Sequence, residues 1–146
     1  MQIKELGHVV LYVSQLKRSA DFYKEILGFR EIHRDQHTAL FSSGRTHHEL
    51  LLIEIGGTAS LQKELRPGLY HIGFKIGDSP EDIKTAYKEL QEKGVSIVGV
   101  GDHTVTHSVY ILDPDGNELE LYADVSEEWK QNPLAVMTPV KRLDLQ

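Results

Sequence analysis

Apolar and polar positions along the chain switch between a two-residue and a helical period, and the order of switches occurs twice. The run Gly7–Val13 (GHVVLYV) is dense in β-branched and aromatic residues and predicts a strand. Ser14-Gln15-Leu16 breaks it. From Lys17 onward Ala20, Phe22, Tyr23, Ile26 and Leu27 recur at helical spacing, and Gly28 marks the stop. Phe29–Ile32, Thr38–Ser42 and His48–Ile55 read as three more strands. At Tyr70 the order restarts with the strand YHIGFKI. Ser79 as N-cap and Pro80 at the first helical position open a helix whose stripe is Ile83, Ala86, Tyr87 and Leu90, and Gly94 ends it. Val95–Val100, Ser108–Leu112 and Glu118–Ala123 complete the set, the last two joined by the turn formers Asp113-Pro114-Asp115-Gly116-Asn117.

The order β-α-β-β-β therefore appears twice, with His8 and His71 at equivalent places. An internal repeat constrains a fold more than local propensity does. The expected class is α+β. Two βαβββ modules, at about residues 5–55 and 69–124, form a half-open mixed β-barrel with the helices outside and a concave inner face. Residues 56–66 are the linker, and the whole chain, 1–146, is one domain. The tail, 125–146, holds a short helix candidate at Ser126–Trp129, with Trp129 as its anchor.

Composition narrows the chemistry. A chain of 146 residues, 40% hydrophobic, buries roughly 70% of its unfolded surface and needs no staples. It has no cysteine, which removes disulfides, thiolate metal sites and cysteine nucleophiles. A formal charge of −6 leaves no global basic footprint for nucleic acid. No apolar run exceeds five residues, so no membrane span is expected; the N-terminus lacks the pattern of a signal peptide, and the expected location is cytoplasmic. Eight histidines are the unusual figure.

Strand parity sorts them. His8 shares a face with Val10 and Tyr12, His71 with Gly73 and Lys75, and Glu120 with Glu118 and Tyr122, each opposite an apolar set. A single strand histidine is ordinarily a surface or core residue. Two imidazoles and a carboxylate on the polar faces of three strands, two of them related by the repeat, are what a 2-His-1-carboxylate metal site requires. The residues alone leave the metal open.

The segments GHVVLYVSQLKRSADFYKEILGFR, YHIGF and YILDPDGNELELY together resemble the vicinal oxygen chelate superfamily over roughly residues 5–124. That superfamily includes glyoxalase I, fosfomycin-resistance thiol transferases, bleomycin-binding proteins and extradiol ring-cleaving dioxygenases. The resemblance implies a sheet closed on a metal, with His8, His71 and Glu120 as ligands. Arg45-Thr46-His47-His48-Glu49-Leu50 resembles the strand of extradiol dioxygenases that carries their acid–base histidine, which implies that role for His48. Asp102–Tyr110 resembles the segment before their final turn, implying that Tyr110 contacts substrate and His103 lies in the pocket. The chain is similar to short, single-domain catechol 2,3-dioxygenase-like proteins, whereas the large extradiol enzymes carry two such domains.

The function so implied is extradiol cleavage of a catechol-type substrate by O2 on Fe(II), with Mn(II) equally suited to the ligands, in a homodimer whose modules pair within one chain or between two. The alternatives are a small-molecule binding or resistance protein, and a glyoxalase I-like lyase or isomerase using Ni(II) or Zn(II) with Glu49 as a fourth ligand. If Leu51, Ile53 and Ile55 form the helix-packed side, parity turns Glu49 away from the cavity and His48 toward it. His33 and His37 read as members of a solvated loop, and His107 is left open between pocket and surface.

Overall fold

Each half of the chain builds the same four-stranded mixed sheet. The computed structural model describes residues 1–58 and 67–145; residues 59–66, most of the expected linker, lie outside the described residues. In the first unit β1 (Val9–Val13), β2 (Arg30–Arg34), β3 (Thr38–Ser42) and β4 (Leu50–Glu54) adopt the order β1-β4-β3-β2. In the second, β5 (His71–Gly77), β6 (Ile97–Asp102), β7 (Thr106–Leu112) and β8 (Glu118–Asp124) adopt β5-β8-β7-β6. In both sheets the first strand runs parallel to the last and the other pairings are antiparallel. The class is α+β, and each sheet is open rather than closed into a barrel.

The first sheet is covered by α1 (Leu16–Asp21), which runs into a π-helical turn, Phe22–Ile26, and leans on β3 and β4. The widened turn brings Tyr23 fully into the core beside Phe41, Phe29 and Phe22. So short a helix lacks a side-chain cap of its own. Its first donor, Leu16 N–H, is instead taken by Glu54 Oε2 at 2.6 Å. Asp115, from the turn 114–116 that clusters with this unit, accepts from Ser14 N–H at 3.0 Å, from the Ser14 and Ser19 hydroxyls, and from Arg18 at 2.7 Å.

In the second unit α2 (Pro80–Glu92) packs on β5, β7 and β8. Ser79 and Asp82 form a reciprocal capping box, the kind of cap whose loss costs about 1 kcal/mol. The tail adds to the same unit. Lys141 pairs with Asp102 at the edge of β6, and Leu145 is buried with Ile83 and Ala123. Trp129 does not anchor the tail as expected: it is 44% exposed, while Leu145 and Ala135 are buried.

Candidate active site

Across the second sheet, hydrogen-bonded register sets Gly73 beside Glu120, Glu120 beside Tyr110, and Tyr110 beside Gly99. Glycine at both ends of this row leaves space over the strands. A Cβ on Gly73 would stand 3.6 Å from Glu120 Oε2, and one on Gly99 3.6 Å from the Tyr110 ring. The long side chains of Glu120 and Tyr110 lie over the sheet in that space. His71, two residues before Gly73, reaches the same carboxylate: Nε2 is 3.1 Å from Glu120 Oε2. The other oxygen, Oε1, accepts from the Tyr110 hydroxyl at 3.0 Å and the Ser108 hydroxyl at 2.6 Å. His103 Nε2 stands 2.8 Å from the Tyr110 oxygen. The carboxylate can only accept, so Tyr110 spends its one proton on Glu120 and takes the His103 Nε2–H in turn. Four of these side chains, His103, Tyr110, Glu120 and His71, form one continuous chain of polar contacts. Burial, then the charge of Glu120, pushes the Tyr110 phenol well above its ordinary pKa, so it stays a donor.

His71 and Glu120 fit a metal. Two ligand atoms each about 2.1 Å from one ion and at right angles lie about 3 Å apart, which is the spacing of Nε2 and Oε2. Among the described residues no group of three or more His, Cys, Asp or Glu side chains is gathered around one point.

In the first unit the imidazoles of His8 and His48 lie 4.5 Å apart, centroid to centroid, and His47 Nδ1 meets His48 Nδ1 at 2.6 Å. Burial, His47 and His8, in that order, lower the His48 pKa, which favours the neutral ring. The parity expected for β4 is corrected here. Leu50 and Leu52 are the buried residues, in register with Val9 and Leu11, so Leu51 and Ile53 belong to the face of Val10 and Tyr12, and His8 lies just before β1. The strand begins at Leu50, so His48 precedes it and parity does not govern its ring. Glu49 also precedes the strand, and its carboxylate turns into the bend before β4. It accepts from Ser43 N–H at 2.9 Å, the Ser43 hydroxyl at 3.0 Å and Thr46 N–H at 3.2 Å. Burial opposes ionisation there, but these donors outweigh it and hold the pKa below the ordinary glutamate value.

His33 is at the end of β2 rather than in a loop, and His37 is exposed. His107 lies on the face of β7 opposite Tyr110, its Nε2 3.8 Å from Asp102. Gly101 explains how His103 is seated: a Cβ there would come within 3.2 Å of His103 Nε2 and 2.9 Å of Val140 in the tail. Ser108, fully buried, is the site residue that sequence reasoning passed over, although its parity with Tyr110 was the available sign.

Residues 5–121 match the model of the Glyoxalase/Bleomycin resistance protein/Dioxygenase superfamily. The chain belongs to that superfamily. This glyoxalase-superfamily chain is 34% identical over 119 residues to a catechol-2,3-dioxygenase of Bacillus subtilis, covering 82% of the chain and 41% of that protein. Two biphenyl-2,3-diol 1,2-dioxygenases of Rhodococcus globerulus are 30% and 27% identical, with 63% of each covered. The chain thus spans about two fifths to under two thirds of these relatives' length. A metallothiol transferase FosB of Staphylococcus haemolyticus is 28% identical, with 88% of its length covered. Among solved structures, the fosfomycin resistance protein FosX of Listeria monocytogenes aligns with a TM-score of 0.67 at 25% identity, covering 87% of this chain and 98% of that one.

Proposed function

We propose that the chain is a metal-dependent extradiol dioxygenase that opens a catechol-type ring with O2, with His8, His71 and Glu120 as ligands to Fe(II) or Mn(II). The observation that carries this reading is the His103–Tyr110–Glu120–His71 chain of contacts. It joins a histidine–carboxylate pair at ligand spacing to a phenol donor suited to a substrate oxygen. The similarity to the Bacillus catechol-2,3-dioxygenase supports the same choice.

When bound, the metal supplies Lewis acidity toward the diol and redox access to O2. The protein's own residues do the rest. Tyr110 donates to a diol oxygen by turning its hydroxyl from Glu120, and His103 holds the phenol oxygen from behind. His48 Nδ1 is engaged by His47, so Nε2 is the nitrogen that takes the second diol proton and returns it when the ring opens. Ser108 goes on donating to Glu120 Oε1 as Tyr110 turns away.

One observation favours a second reading, metal-dependent thiol transfer of the FosB kind: the chain covers 88% of that relative against 41% of the Bacillus dioxygenase. Oxygen uptake by anaerobically Fe(II)-loaded protein against a panel of substituted catechols separates the two. Stoichiometric uptake with a yellow ring-opened product is the expected result. No uptake with iron bound, together with turnover of fosfomycin and a thiol on a divalent-metal-loaded sample, would replace it with the second reading.

A further inference from the structure

Ser108 is 0% exposed in the middle of β7, and its hydroxyl donates to Glu120 Oε1 at 2.6 Å, the shorter of the two contacts on that oxygen. Register pairs Ser108 with Tyr122 and with Gly101, so the hydroxyl reaches Glu120 diagonally across the β7–β8 ladder. A buried hydroxyl needs a partner, and this one has taken the carboxylate oxygen that does not face His71. Oε2 alone is left toward Nε2 of His71, 3.1 Å away.

We propose that Ser108 is a positioning residue with two consequences, both resting on the metal-dependent reading above. First, by occupying Oε1 it makes Glu120 a one-oxygen ligand, presenting Oε2 beside His71 Nε2. Second, it releases Tyr110. A phenol carries a single proton, and if Tyr110 were the sole donor to Oε1, turning that proton toward a substrate would strand a part-buried carboxylate oxygen. With Ser108 in place, Oε1 keeps a donor while Tyr110 changes partner. Tyr110 is therefore the movable donor and Ser108 the fixed one. Burial fits this division: Ser108 is fully buried, whereas Tyr110 on the same face is half-buried and paired with Gly99.

Co(II) is a suitable probe because its visible bands weaken as coordination number rises. Wild type, Ser108→Ala and Ser108→Cys would be compared by competition of Co(II) against a fluorescent chelator, by the visible spectrum, and by thermal unfolding of the metal-free protein. Loss of a group that orients a ligand lowers metal affinity about 10- to 100-fold. The expected result is a drop of that size in Ser108→Ala, with weaker bands as both Glu120 oxygens close on the ion. Ser108→Cys, of similar size but a weak donor, shows the same changes to a lesser degree and decides the question if Ser108→Ala is poorly folded. Wild-type affinity and band intensity in a folded variant would overturn the role of Ser108 alone. Wild type that fails to bind Co(II), or binds it no better than Glu120→Ala, would remove the metal-dependent reading and this role with it.

Discussion

Tyr110 and Glu120 stand directly opposite each other on β7 and β8, and the phenol donates to Oε1 at 3.0 Å. The hydroxyl is held by His103 on its far side and does not ionise in the neutral range, because burial and the neighbouring carboxylate both raise its pKa. Tyr110→Phe removes the movable donor but neither ligand. Metal content is expected to stay at the wild-type level while kcat/KM on the best catechol falls about a hundredfold, the usual loss for one donor to a reacting oxygen. Full turnover in this variant would take Tyr110 out of the chemistry.

His48 offers a second, separable test. Its Nδ1 is engaged by His47 and its ring stands 4.5 Å from His8. His48→Phe keeps a flat ring beside His8 and removes the acid–base nitrogen. General acid–base catalysis contributes about 10²- to 10⁴-fold, so turnover should fall by about a thousandfold with iron still bound. Iron lost on dialysis would instead make His48 a ligand.

For Glu120 the readout is metal, not rate. Glu120→Ala deletes the oxygen facing His71 Nε2 and leaves Ser108 and Tyr110 without their acceptor. Iron per chain after dialysis should fall well below wild type, and Glu120→Gln, which keeps the shape but not the charge, should fall between. Unchanged iron content in the alanine variant would remove Glu120 from the ligand set.

How much of this was legible in the sequence differs between the halves for a physical reason. In the second unit β5 and β8 alternate an apolar with a polar or small residue, as in Glu118–Asp124, so parity alone places His71, Gly73 and Glu120 on the polar faces of their strands, and the register agrees, whereas Tyr110 is legible only through the family resemblance. β4 reads Leu-Leu-Leu-Ile-Glu, apolar on both faces, so alternation there carries no direction, and the buried side is that of Leu50 and Leu52 rather than the expected Leu51 and Ile53. The start of that strand mattered more than its parity, because His47 and His48 fall just outside it. Ser108 shares the parity of Tyr110, but a serine in a strand points to no chemistry until its acceptor, here Glu120, is located. The tail was opaque for another reason: Leu145 packs on Ile83 and Ala123 from an irregular segment with no period to read.

Asp115 yields a prediction about stability that is independent of the chemistry. Burial works to raise its pKa, but Ser14, Ser19 and Arg18 outweigh it, and the net effect is a value below the ordinary 3.8. A group whose folded pKa is depressed stabilises the fold fully above its unfolded value, and that contribution disappears as pH falls through the folded one. Asp115→Asn replaces an acceptor of several hydrogen bonds with an amide whose NH2 faces donors, at a side chain only 9% exposed. The expected cost by urea unfolding is about 1–3 kcal/mol at neutral pH. The gap between variant and wild type should hold constant down to about pH 5, then narrow below about pH 4 as the wild-type carboxylate protonates. A gap that stays constant into that acid range would mean the charge contributes nothing and the cost is one of shape alone.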